Sequence, residues 1–122
     1  MGLFSTSKSK SKVNWELLID SAQLDEFLEK SNQKPVMLFK HSTRCGISSM
    51  AKNRLETDWH KVEEQIIPVY LDLLTYRSIS NEIADRFDVV HQSPQIILLK
   101  DGKSIYNASH SAISVQAIKD LL

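Results

Sequence analysis

A single cysteine, Cys45, stands among 122 residues. No internal disulfide can form, and a reducing cytoplasm is the expected setting rather than a secreted one. Glycine is equally scarce, with three in the chain, which leaves no Gly-rich phosphate loop. Charge of one sign is missing too. Fifteen basic and fifteen acidic residues cancel, so neither nucleic acid nor a membrane surface is an expected partner. No apolar run approaches the ~18 residues of a membrane span, and the Ser/Lys tract after Phe4 speaks against a signal peptide. The four histidines are scattered without ligand spacing, and no metal site is expected from them with one cysteine. A Cys-x5-Arg phosphatase or arsenate reductase is excluded, because Ala51 sits where the arginine would have to be.

What is present reads as one soluble α/β domain. Hydrophobic residues make up 42% and charged residues 25%, ordinary for a globular chain. Ser5 to Lys12 alternates serine or threonine with Lys8, Lys10 and Lys12, and residues 1–12 are expected to be a disordered tail, leaving 13–122 as the domain. Gly2 with Thr6 fits the myristoylation pattern, but so short a pattern recurs by chance, and a solvated tail is the plainer reading.

Asp20 followed by Gln23 marks a helix start, with Leu24, Phe27 and Leu28 on one face. Val36 to Phe39 is a continuous apolar run, the mark of a strand covered on both sides. A polar turn, His41 to Arg44, leads to a helix from near Cys45. Its expected inner face is Ile47, Ala51 and Leu55, with Met50 and Trp59 alongside. Pro68 opens a strand from Val69 to Leu73. A helix from about Ser78 turns Ile83, Ala84 and Phe87 inward. The strand Gln95 to Leu99 then reaches Asp101-Gly102, a two-residue hairpin turn into Ser104 to Ala108. Ser114 caps a last helix bearing Val115, Ile118 and Leu122. The order α-βαβαββα predicts a small mixed sheet flanked by helices.

The segment from Phe39 to Ser48 carries the chemistry. It puts Cys45 where a buried strand turns into a helix, and the unpaired N–H groups there favour a thiolate. Arg44, with Lys40 or His41, would add to that preference. A free cysteine is commonly a small buried hydrophobe, but Gly46 beside it opens the sulfur to a partner and supports a reactive thiol. Ser48 takes the position where dithiol oxidoreductases carry a second cysteine. With no internal thiol, a disulfide at Cys45 must be broken from another molecule. The Ser48 hydroxyl either bonds the thiolate or belongs to an ordinary first-turn serine. His91 either lines the site or is a hydrogen-bonded loop histidine.

Lys40-His-Ser-Thr-Arg-Cys-Gly-Ile-Ser48, with Ser93-Pro94-Gln95 and Lys100-Asp-Gly102, resembles the monothiol bacilliredoxins (YtxJ-like proteins) of the thioredoxin superfamily, from about Trp15 onward. The resemblance implies a thioredoxin-like fold and a cysteine that takes bacillithiol off S-bacillithiolated proteins. It makes Cys45 the nucleophile, with Thr43, Arg44, Gly46, Ile47 and Ser48 shaping its loop. Ser93 and a cis Pro94 would face the cysteine and meet an extended substrate segment. The implied protein is a monomer that holds no cofactor, takes bacillithiol as co-substrate, acts on S-thiolated proteins and is regenerated by a small thiol or a reductase. Two other functions fit parts of the pattern. Cys-Gly-Ile-Ser is one residue from the Cys-Gly-Phe-Ser of monothiol glutaredoxins, which carry iron–sulfur clusters, although Ser109-His-Ser-Ala112 replaces their glycine-rich turn. A thioredoxin-like binding module without catalysis is the other.

Overall fold

The structure is a computed structural model that describes residues 13–122. The tail expected over residues 1–12 lies outside the described residues. Among the described residues five strands form one sheet: β1 (Glu16–Leu17), β2 (Val36–His41), β3 (Ile67–Asp72), β4 (Gln95–Lys100) and β5 (Lys103–Ser109). Four α-helices complete the fold among the described residues: α1 (Ala22–Lys30), α2 (Gly46–Asp58), α3 (Arg77–Phe87) and α4 (Val115–Lys119). The strand order is β1-β3-β2-β4-β5. β3 runs parallel to both β1 and β2, and β4 and β5 are antiparallel additions on the other side of β2.

Alternation along β2 and β4 divides the core in two. Met37, Phe39, Ile96 and Leu98 join Ala51, Leu55 and Trp59 with Val115 and Ile118 of α4. Val36, Leu38, Ile97 and Leu99 face the other way, onto Leu24 and Phe27 of α1 and Ile79 and Ile83 of α3. Successive side chains of a strand point to opposite faces, so a strand with helices on both sides is apolar throughout.

Local chemistry sets the element ends. The Gln23 side chain accepts from the backbone N–H of Asp20 at 3.0 Å, while Asp20 accepts from Ala22 at 2.8 Å; these side chains meet orphan donors at the start of α1. Asp101 and Gly102 both have positive φ, 53° and 77°, as a type I′ hairpin turn demands. The end of α1 holds that turn, since Ser31 accepts from Asp101 N on its carbonyl and from Gly102 N on its hydroxyl. Ser114 accepts from Ala117 N at 3.3 Å and caps α4.

Several expectations need correction. β1 precedes α1; its two exposed residues are too short to show a period. β2 runs on through Lys40 and His41, both buried, so the turn begins at Ser42. Ile47 and Met50 are 58% and 62% exposed, and α2 instead buries Ser48, Ala51 and Leu55. In α3, Ile79 and Ser80 are buried beside Ile83; Ala84 is half-buried, and Phe87, also half-buried, packs against the same core as expected. β3 starts at Ile67, one residue before Pro68, and Leu122 is exposed beyond the end of α4.

Candidate functional site

The site is assembled at one end of the sheet. β2 ends at His41, a turn closes as Cys45 N donates to Ser42 O at 3.2 Å, and α2 begins as Ser49 N donates to Cys45 O at 3.1 Å. Cys45 is the N-cap of α2, extended at φ −110° and ψ 121°, and half-buried. Thr43, Arg44, Gly46 and Ile47 around it are exposed. A Cβ placed on Gly46 would meet nothing within 4 Å, so the space beside this residue is open.

The second segment arrives through strand register. β4 pairs antiparallel with β2, with Gln95 opposite Lys40. The residues just before Gln95 therefore lie at the sheet end where β2 runs out toward Cys45. The Ser93–Pro94 peptide is cis. The Pro94 carbonyl accepts from His110 N at 3.1 Å. The Ser93 hydroxyl is buried and has no hydrogen-bond partner among the described residues.

A model of the family "Monothiol bacilliredoxin BrxC" matches residues 16–118. The chain belongs to this family. Solved structures agree on the fold. The chain is similar to a protein described as "a putative oxidoreductase with a thioredoxin fold", at TM-score 0.76 and 27% identity, covering 85% of this chain and 89% of that one. Thioredoxin NaTrxh of Nicotiana alata superposes at TM-score 0.69 and 19% identity, over 92% and 94% of the two chains. Thioredoxin of Fasciola hepatica gives 0.64 and 16%, over 87% and 94%. The chain is thus a member of the monothiol bacilliredoxin family with a thioredoxin fold.

Within that frame, the polar residues behind the bacilliredoxin loop take places that differ from expectation. Ser48 is fully buried, and its hydroxyl meets two partners, accepting from Ser42 N at 3.0 Å and sharing a proton with His41 Nδ1 at 2.6 Å. It braces the turn from behind and makes no hydrogen bond to Cys45. His41 stacks on Phe39 and tilts against Tyr70. Burial holds its pKa below the usual histidine value, aided by Lys52 and opposed by Asp72 and Glu56, so the ring is neutral at pH 7. Lys40 faces the opposite side of the sheet. Its ammonium donates to Ser80 O at 3.1 Å and to His91 Nδ1 at 3.2 Å. Neither Lys40 nor His41 stands in the open beside the sulfur. His91 is a hydrogen-bonded loop histidine.

Lys40 and His41 escaped a structural assignment because a polar pair after an apolar run reads as the start of a turn. Period-two alternation continued from Val36 and Leu38 would have put Lys40 on the α1/α3 face and His41 with Phe39.

Proposed function

We propose that Cys45 is the nucleophile that removes a low-molecular-weight thiol, bacillithiol in this family, from protein mixed disulfides in the cytoplasm. The observation that carries this reading is Cys45 at the N-cap of α2, with open space beside Gly46 and a hydroxyl in place of a second thiol at Ser48. The Cys45 thiolate attacks the sulfur of the small thiol. A new S–S bond joins Cys45 to that thiol, the old S–S bond breaks, and the client protein leaves as thiolate. Thr43, Arg44, Gly46, Ile47 and Ser48 give the loop its shape. Ser93 and cis-Pro94 offer an extended client segment a backbone to pair with. The domain works as a monomer and holds no cofactor, and bacillithiol is a co-substrate. A small thiol or a reductase attacks the adduct and returns Cys45 to thiolate.

The test is a single-turnover assay with a protein carrying bacillithiol as mixed disulfide. Intact mass should show one adduct per chain, on Cys45, after which transfer stalls until free thiol or a reductase is added. Cys45→Ser should abolish transfer, because an unactivated hydroxyl is not a usable nucleophile here. Repeated turnover by the wild type without added reductant would sink this mechanism, as would activity in Cys45→Ser. A brown protein on anaerobic purification would point instead to an iron–sulfur carrier.

A further inference from the structure

Lys40 is 0% exposed, and none of the ion pairs among the described residues includes it. Taking an ammonium out of water costs several kcal/mol, and an apolar side chain of the same length would fill the space without that cost. The Lys40 ammonium spends its donors on two neutral acceptors from two other parts of the fold: Ser80 O in α3 and His91 Nδ1 in the loop before β4. An ammonium can only donate, so His91 Nδ1 accepts and the ring proton resides on Nε2. The Ser80 hydroxyl also approaches His91 Nδ1, at 3.4 Å.

Gln95 lies directly opposite Lys40. Its side chain donates to Val90 O at 3.0 Å and accepts from Gln92 N at 3.4 Å. Three consecutive loop residues, Val90, His91 and Gln92, are thus tied to paired strand residues at the sheet end. The next two residues are Ser93 and cis-Pro94.

We infer that Lys40 is a positioning residue for client binding, acting through His91 to hold the 90–93 loop so that the Ser93 backbone faces an incoming extended segment. The inference rests on the reading of Ser93 and Pro94 given above. It separates two tasks: the Cys45 turn supplies the nucleophile, and the Lys40–His91 tie sets where the client lies.

Transfer kinetics and loop geometry test it in parallel. With a bacillithiolated protein as substrate, Lys40→Met should raise KM about ten-fold and leave the saturating single-turnover rate within about three-fold. Alkylation of Cys45 by iodoacetamide, which needs no loop, should stay within about two-fold of wild type. His91→Leu should reproduce the Lys40→Met phenotype, and the double variant should be no worse than either. His91→Asn, which places Oδ1 where the imidazole places Nδ1, should restore KM to within about three-fold. In 1H–15N spectra the amides of Val90 to Ser93 should move in Lys40→Met and His91→Leu and return toward wild type in His91→Asn. An unchanged KM, or alkylation falling in step with transfer, overturns the inference. Stationary loop amides overturn it whatever the transfer assay shows. A wild type that transfers no thiol while these amides shift as expected refutes the client-binding role, and the functional reading with it, while leaving the tie itself standing.

Discussion

Ser48 shows how one hydroxyl serves two neighbours. Its oxygen accepts the Ser42 N–H and shares a proton with the neutral His41 ring. Ser48→Ala leaves the buried His41 ring and the half-buried Ser42 N–H without this partner, and loss of a partner at a buried polar group costs about 1–3 kcal/mol. Urea unfolding should show a drop of that order, with the far-UV spectrum of the native state retained. Lys40 sets a different residue-scale signature. Burial lowers its pKa from 10.5 to about 8 in the folded protein. Between those values the unfolded chain binds the proton and the native protein does not, so stability rises with pH across that window. Below pH 8 both states are protonated and the full cost of the buried charge is present. Unfolding free energies measured from pH 7 to 11 should therefore climb for wild type relative to Lys40→Met, with the gap between the two closing toward pH 10.5. A constant gap would contradict the burial argument.

At the scale of elements, the apolar residues of α2 divide along its length: Ile47 in the first turn is exposed, whereas Ala51 and Leu55 farther along are buried. The four-residue series Ile47, Ala51, Leu55 is right for its last two members, which are fully buried, and wrong for its first. Periodicity tells which residues share a stripe of the helix, but not where along that stripe the neighbouring sheet ends. The first turn carries Cys45 out past the last residue of β2. Leu55→Ala should cost about 2–5 kcal/mol through lost burial and a cavity. Ile47→Ser should change stability by no more than about 0.5 kcal/mol. Chemical denaturation of the two variants separates the parts of the helix. Comparable losses would mean that Ile47 is packed after all.

At the largest scale, the described residues form one sheet with a core on each face, and both cores are built on the same strands. Phe39 and Ile96 serve one side; Leu38 and Ile97, their chain neighbours, serve the other. Neither core can dissolve while the other keeps β2 and β4 in place, so unfolding should be a single transition. Trp15 and Trp59 both lie on the α2/α4 side, and their fluorescence should follow the same urea curve as far-UV dichroism and as the most protected amides of α3 on the opposite side. Separate midpoints would show that the two cores melt apart. Much of this architecture is local in origin and could be read along the chain: the apolar run of β2, the Asp101-Gly102 turn, the Ser114 cap, and a lone cysteine at a strand-to-helix junction. Each depends on neighbours within a few residues, through periodicity, φ preference or capping. The remainder is non-local. Two-residue β1 has no period and exists only because β3 offers it an edge. Lys40 and His41 look like surface residues until helices cover both faces of their strand. Ser93 and Pro94 come to the end of the sheet nearest Cys45 because β4 pairs antiparallel with β2 in one register, a choice made by side chains roughly sixty residues apart packing into a common core.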